Sequence, residues 1–182
     1  MLHKETGMIR YVAFLRGINV GGHKIIKMED LRRMFEAMNF ENVRTYIQSG
    51  NVLFDAAKTK PEALAEKIES ALRSSLGFEV KVMPRTIAEL ADIAAHNPFH
   101  ETDAKIYVSF LSAEPDKERK DSLLSFQNDF EIFRFRSREM YCLIRPHNTA
   151  KELFSNNFIE KHLKVSATTR NITTVGKILL LK

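Results

Sequence analysis

The 182-residue sequence contains no tryptophan, one cysteine, five prolines and seven glycines. So little proline and glycine excludes a collagen-like or low-complexity chain. A single cysteine, Cys142, excludes an intrachain disulfide and a CxxC metal site, which fits a reduced compartment. No apolar run reaches the roughly 18 residues that cross a bilayer, and the N-terminus lacks the apolar core of a secretory signal. We therefore expect a cytoplasmic protein that does not engage a membrane.

The residues that are present have the balance of an ordinary globular protein, 44% hydrophobic and 28% charged. The length fits one domain of about 150 to 200 residues or two small domains of about 80 to 90. Residues 1–7 show little periodicity, so they are predicted to be an N-terminal extension, with Met8 as the first residue of the fold. The net charge of +5 keeps nucleic acid or another polyanion open as a partner.

The first half of the chain alternates strand and helix patterns in the order βαββαβ. Residues 9–15 form an apolar run typical of a buried strand, and residues 28–38 place five apolar side chains on one helical face. Pro61 suits the first turn of a second helix and Gly77 its end. The other predicted strands are Val43–Gln48, Val52–Phe54 and Phe78–Met83. This order is typical of a ferredoxin-like split sandwich, in which two helices cover one face of a four-stranded antiparallel sheet.

The second half repeats this order after a linking helix. Thr86 and Glu89 have the capping-box spacing that begins that helix, and Asn97-Pro98 ends it. The repeat is predicted over Lys105–Ser112, Pro115–Phe126, Phe130–Arg136, Met140–Ile144, Ala150–Leu163 and Val165–Thr168. Asn171 then suits the N-cap of a last amphipathic helix. We predict an α+β fold of two tandem ferredoxin-like halves, residues 8–84 and 104–182, joined by a linking helix and loop over residues 85–103.

The loop after the first strand is the best candidate for a ligand site. Its glycines can turn backbone N–H groups toward an anion, and its basic residues can pair with that anion near the positive end of the next helix. The predicted ligand-binding residues are Arg16, Gly17, Asn19, Gly21, Gly22 and Lys24, with Lys27 as an alternative to Lys24. The spacing matches neither GxxxxGK[ST] nor GxGxxG. The alternative is structural: the glycines and Asn19 adopt positive φ in a tight turn, and the Asn19 side chain hydrogen-bonds to backbone.

A second candidate site lies just before the last helix. The run Thr168-Thr169-Arg170-Asn171 gathers hydroxyl, guanidinium and amide groups. Arg170 and Asn171 are predicted to bind the ligand, since a guanidinium beside a helix N-terminus is natural where an anion sits between them. The alternative is a surface arginine followed by a capping asparagine.

Recognisable metal and catalytic patterns are missing from the sequence. The six histidines show no paired ligand spacing, and Asn97-Pro98 breaks the helix that would align His96 with His100. Ser49 has no histidine placed by sequence to activate it, and its neighbours are those that a hairpin turn requires. We predict no metal and no cofactor. An enzymatic activity stays open, because no nucleophile or general base can be named.

Three arginines alternate near the predicted second hairpin. Arg134, Arg136 and Arg138 would lie on one face of a strand and its turn. A solvated sheet edge is one explanation, and contact with nucleic acid is the other.

Five short motifs carry a family resemblance. They are LRGINVGG at 15–22, MxxL at 28–31, TYIQSGNV at 45–52, NPF at 97–99 and ATTRNxxTV at 167–175. In this order they resemble the bacterial family called domain of unknown function 1697, over about Met8 to Lys182. The resemblance implies a pair of ferredoxin-like halves and brings no established activity. One departure is Ile172, where the family commonly has tryptophan after the Arg-Asn pair.

Three functions are consistent with the sequence. The first is a cytosolic binding protein for a phosphorylated small molecule or nucleotide at the Gly17–Gly22 loop. The second is a nucleic-acid-binding protein that uses its basic residues, and the third is an enzyme of unidentified class.

Overall fold

The computed structural model describes residues 7–22, 24–146 and 152–181. Over these residues the chain forms eight strands and six helices. They are β1 (Met8–Leu15), α1 (Met28–Ala37), β2 (Glu41–Tyr46), β3 (Asn51–Ala57), α2 (Pro61–Leu76), β4 (Val82–Thr86), α3 (Ile87–Ala95), β5 (Lys105–Leu111), α4 (Lys117–Leu124), β6 (Glu131–Arg136), β7 (Glu139–Ile144), α5 (Asn156–Leu163), β8 (Ala167–Asn171) and α6 (Ile172–Leu179). No helix among these residues is long and apolar enough to cross a membrane.

Each half of the chain builds one four-stranded antiparallel sheet. The strand order is β2-β3-β1-β4 in the first sheet and β6-β7-β5-β8 in the second, so the first strand of each half is interior and the last is at an edge. The chain divides into two compact units, one that ends at Glu89 and one that runs from Leu90 to Leu181. The predicted α+β fold of two βαββαβ halves is confirmed. The finer division at residues 84, 85, 103 and 104 stays a prediction.

The core of the first unit lies between its sheet and helices α1 and α2. Alternate side chains of β1 meet the apolar faces of both helices, as the period of two in a strand requires. This core includes Tyr11, Ala13, Leu15, Leu31, Phe35, Leu64, Ile68 and Leu72. Val12 and Phe14 belong to the opposite face of β1 and are fully buried as well. Neither face of this strand is open to water.

The core of the second unit lies between its sheet and helices α4 and α5. It includes Leu111, Leu123, Phe133, Met140, Cys142, Ile159, Leu163 and Ala167. The buried carboxylate of Glu131 accepts hydrogen bonds from the backbone N–H groups of Leu153 and Phe154, at 2.9 and 2.7 Å. Ser155 then caps α5 by accepting from the N–H of Phe158. These bonds fix the path of the chain into α5.

The last strand of each half lies further along the chain than the sequence indicates. β4 runs over Val82–Thr86 rather than Phe78–Met83 and contains Pro84. An edge strand tolerates proline because one of its sides needs no ladder hydrogen bond. β8 runs over Ala167–Asn171 rather than Val165–Thr168, because its pairing with β5 continues to Asn171.

Among the other boundaries that differ from the prediction are those of β2 and α5. β2 ends at Tyr46 rather than Gln48, because Ile47 has a φ of 49° and the chain turns there. α5 begins at Asn156, so residues 152–155 precede it rather than belong to it. The first six residues of the predicted extension over residues 1–7, which include His3, lie outside the described residues, as do His23, His147 and the first two residues predicted for α5.

The two units repeat one detail. Arg85 is the fourth residue of β4 and Arg170 the fourth of β8, and each lies opposite a valine of the interior strand, Val12 or Val108. Each guanidinium donates a 2.8 Å hydrogen bond to the carbonyl of the residue before it. A helix follows each strand, α3 or α6. The repeating unit is therefore βαββαβα, and the linking helix is the counterpart of the C-terminal helix.

Candidate functional site

Asn19 holds the loop between β1 and α1 in place. Its Oδ1 accepts from the N–H of Ile26 at 2.7 Å, and its Nδ2 donates to the carbonyls of Ile26 and Gln48, both at 3.0 Å. Its own N–H donates to the carbonyl of Lys24. The φ of Asn19 is 53°, in the left-handed region that asparagine tolerates better than most residues. This side chain joins the loop to the β2–β3 hairpin, as the structural alternative predicted.

The loop glycines have the backbone conformation that a tight turn needs. Gly17, Gly21 and Gly22 have φ values of 69°, 60° and 76°. A Cβ built on Gly17 or Gly22 meets no atom within 4 Å, so the backbone there faces open space. The turn explains why these residues are glycines. It also leaves backbone groups that a ligand can approach.

The loop sequence is basic. Residues 16–27 contain Arg16, Lys24 and Lys27 and no aspartate or glutamate. Lys24 donates from Nζ to the carbonyl of Glu79 at 2.8 Å and lies 5.2 Å from the ring centre of Phe78. A carbonyl and a ring do not neutralise an ammonium group. The field at this loop therefore favours an anion.

The start of α1 contributes less to anion binding than the sequence indicates. Its N-cap, Lys27, gives no side-chain acceptor to the first turn. Glu29 and Asp30 already occupy that turn, and Arg33 pairs with both of them, at 2.5 and 3.6 Å. These carboxylates take the favourable position that an anion would use at a helix N-terminus. The loop, rather than the helix end, is the basic element.

Arg170 and Asn171 lie in the second unit, whereas the Gly17–Gly22 loop lies in the first. Arg170 is 8% exposed, so the alternative of a surface arginine is wrong. Its side chain donates to the hydroxyl of Thr168 and the carbonyl of Thr169, both at 2.8 Å. Burial lowers the pKa of the guanidinium to about 10. Asn171 accepts from the N–H of Thr173 and caps α6, as predicted.

The predicted ligand-binding residues thus form two sets. Arg16, Gly17, Asn19, Gly21, Gly22 and Lys24 share one continuous loop. Arg170 and Asn171 already make hydrogen bonds that stabilise β8 and the start of α6. Whether either set binds a ligand stays a prediction.

The row of arginines on β6 is partly neutralised. Arg136 forms an ion pair with Asp92 at 2.5 Å, and this contact holds the pKa of the Asp92 carboxyl below its usual range. Arg134 donates to the side-chain oxygen of Gln127 at 2.9 Å. Part of the charge that the sequence offers to a polyanion is therefore used within the unit.

The sequence does not indicate that three aliphatic residues in or near the loop are exposed. Val20, Ile25 and Ile47 are 65%, 74% and 51% exposed. One signal in the sequence was available for Ile25, because it stands next to Ile26 just before α1 and only one of the two can face the core. Ile47 gave no such signal, since it read as part of a strand.

Two concave regions lie away from the loop. A cavity of about 170 Å³ is lined in part by Tyr11, Arg85 and Glu89, and a groove of about 670 Å³ lies between α4 and β6. Among the described residues every buried side-chain nitrogen and oxygen has a hydrogen-bond partner, so the buried Arg85 does not require an added anion. Within the same residues, no three His, Cys, Asp or Glu side chains are grouped to hold a metal ion.

Comparison with known proteins shows a similar solved structure and the family of the chain. Among solved structures, the conserved bacterial protein SP0830 from Streptococcus pneumoniae is similar, with a TM-score of 0.73 and 24% identity over 96% of this chain and 98% of that one. This likeness supports the fold alone. No curated protein matches. A family model matches residues 8–141, well over half of the chain, so the predicted resemblance is confirmed: the chain belongs to the family described as Protein of unknown function (DUF1697).

Proposed function

We propose that this protein is a cytosolic binding protein whose Gly17–Gly22 loop holds the phosphate of a phosphorylated small molecule or nucleotide. One observation carries the proposal. A loop with no carboxylate and three cationic side chains is fixed by Asn19 while its glycine backbone faces open space.

The fixed shape of the loop favours binding. A flexible loop loses conformational entropy when it closes on a ligand, and that loss reduces affinity. Asn19 reduces this cost, because its side chain already bonds Ile26 on the far side of the loop and Gln48 in the neighbouring hairpin. The loop backbone near Gly22 would then lose less conformational entropy on meeting an anion.

Each basic residue would have a distinct role. The bond from Lys24 Nζ to the Glu79 carbonyl fixes the direction of the Lys24 side chain. Because a carbonyl is a neutral acceptor, this bond does not cancel the positive charge of Lys24. Lys27 is exposed at the start of α1. The backbone N–H of Arg16 bonds the carbonyl of Lys81, which anchors this partly buried residue directly after β1.

The proposal is tested by isothermal titration calorimetry with inorganic phosphate, ribose 5-phosphate and nucleoside monophosphates. Lys27→Gln is the test variant, and Lys60→Gln is its matched control because Lys60 is the exposed N-cap of α2 as Lys27 is of α1. Loss of one cation near a phosphate should weaken binding by about fivefold. Binding by none of these compounds, or equal weakening by both substitutions, would contradict the proposal.

Nucleic-acid binding and an enzymatic reaction are the alternatives. The Arg136–Asp92 ion pair reduces the support for the first. Fluorescence anisotropy with single- and double-stranded RNA and DNA across a salt series tests it, because phosphate contacts make the affinity fall with salt. For the enzymatic alternative, we identify no nucleophile with a general base beside it among the described residues.

A further inference from the structure

Three exposed aliphatic residues are chain neighbours of Asn19 or of the residues that its side chain bonds. Val20 follows Asn19 in the chain, Ile25 precedes Ile26, and Ile47 precedes Gln48. Asn19 Nδ2 lies 3.0 Å from the carbonyl oxygens of both Ile26 and Gln48. Consecutive Cα atoms are only 3.8 Å apart, so the three side chains start from backbone positions grouped around one point. We call Val20, Ile25 and Ile47 the aliphatic cluster.

The members of the aliphatic cluster are more exposed than isoleucine and valine usually are. Each of its members exposes more than half of its surface, and isoleucine and valine are among the residues most often buried. Single exposed apolar residues need no explanation, but a group of them around one loop indicates a contact surface.

Ile47 adds a second observation. Its φ is 49°, a conformation that a β-branched residue adopts only at an energetic cost. Asparagine or glycine would satisfy the same turn without that cost. An isoleucine that is both strained and 51% exposed gains less from packing than a buried one, which directs attention to a benefit at the surface.

The charge around the aliphatic cluster restricts what it can bind. Residues 16–27 and 42–54 together contain Arg16, Lys24, Lys27 and Arg44 and no carboxylate. A second copy of this chain would bring the same positive surface face to face, which is unfavourable. The basic sequence of these two segments favours an acidic occupant, and the aliphatic cluster favours one that also carries an apolar face.

We propose that the loop and the aliphatic cluster form one site for a nucleoside phosphate, in which the cations hold the phosphate and the cluster covers the face of the base. This inference rests on the proposed function and narrows it. A sugar phosphate presents hydroxyl groups to the cluster and gains little from it, whereas a base buries a flat, mostly apolar face there.

The experiment compares ligands within each variant. Titration calorimetry measures the affinity ratio of nucleoside monophosphates to ribose 5-phosphate in the wild type and in Val20→Thr, Ile25→Thr and Ile47→Thr. Threonine keeps the β-branch, so the backbone preference of each position changes little. Ile25→Thr keeps the test valid if the strained Ile47 position tolerates no change, and circular dichroism checks that each variant is folded.

The outcomes separate the two proposals. We expect the wild-type ratio to be about tenfold or more, and the threonine variants to lower it while the affinity for ribose 5-phosphate stays constant. Equal affinity for nucleotide and ribose 5-phosphate would overturn this inference and leave the proposed function standing. Binding of neither would overturn both.

Discussion

Gly50 lies so close to Ile18 that no side chain fits between them. A Cβ built on Gly50 would be 2.8 Å from Ile18 Cδ1 and 2.9 Å from Leu15 Cβ, and the φ of Gly50 is +72°. The N–H of Leu15 also donates to the Gly50 carbonyl at 2.8 Å. The β2–β3 hairpin therefore packs directly on the end of β1, and this contact positions the loop that follows β1.

Gly50→Ala should destabilise the protein strongly. Placing alanine at positive φ costs about 1 to 2 kcal/mol, and the overlap with Ile18 adds about 1 to 3 kcal/mol. Gly77→Ala is the matched control, because Gly77 ends α2 at a φ of +76° with nothing within 4 Å of its Cβ position. Urea unfolding of both variants measures the difference. If the two lose the same free energy of unfolding, the close contact at Gly50 has no energetic weight.

Much of the first unit could be predicted because its signals are local. Pro61 and Gly77 mark the two ends of α2, and the capping box of Thr86 and Glu89 begins α3, with both reciprocal hydrogen bonds present. β4 could not be placed, since Pro84 argues against a strand unless its edge position is known. That position depends on pairing with β1, and no local pattern contains it.

Asn19→Gly should destabilise the loop although glycine accepts the same backbone conformation. Glycine accepts the φ of 53° but removes the Oδ1 and Nδ2 groups that bond Ile26 and Gln48. Loss of these bonds should cost about 1 to 3 kcal/mol, measured by urea unfolding. Hydrogen exchange should also become faster at the Ile26 N–H, which loses its acceptor. Unchanged protection of that N–H would contradict the role assigned to Asn19.

Ile47→Asn should stabilise the protein. Asparagine adopts positive φ more readily than a β-branched residue, and removing such strain is worth about 1 kcal/mol. Thermal unfolding followed by circular dichroism measures the gain. If the same variant also loses nucleotide affinity, Ile47 is a residue at which stability is given up for binding. A lower melting temperature would show that the turn at Ile47 is unstrained or that its side chain packs in the fold.

The candidate site was harder to predict than the fold. Gly17, Gly21 and Gly22 fit both a turn and an anion site, because positive φ serves either purpose. The burial of Arg170 could not be read from its sequence neighbours, since it follows from the pairing of β8 with β5. Such properties depend on contacts between segments that are distant in the chain.

Tyr141 should titrate as an unusually weak acid. Burial raises the pKa of its hydroxyl to about 12, and that hydroxyl donates to the Ile93 carbonyl at 2.8 Å. The unfolded chain has a tyrosine pKa of about 10, so the native state holds this proton more tightly and stability falls as pH rises from about 10 to about 12. Ultraviolet difference titration should lose its highest transition in Tyr141→Phe. The same variant should show a shallower alkaline loss of stability, and an unchanged titration curve would contradict the assignment.

Cys142 should report on unfolding of the second unit. Its side chain is fully buried, with Sγ 3.8 Å from the hydroxyl of Ser109, and burial raises the pKa of the thiol. Only the thiolate reacts with alkylating reagents, so modification requires the unit to open.

The expected rate of Cys142 modification is at least about a thousandfold below that of an exposed thiol, in keeping with the small open fraction of a stable domain. Ser122→Cys in a Cys142→Ala background supplies that exposed thiol, since Ser122 is exposed on α4. Glu131→Gln should accelerate modification of Cys142. The two carboxylate oxygens of Glu131 accept from the backbone N–H groups of Leu153 and Phe154 and from the side chain of Asn128, and a carboxamide has only one oxygen acceptor. If native Cys142 reacts as fast as the control thiol, the packing of β7 against α4 and α5 is looser than the structure shows.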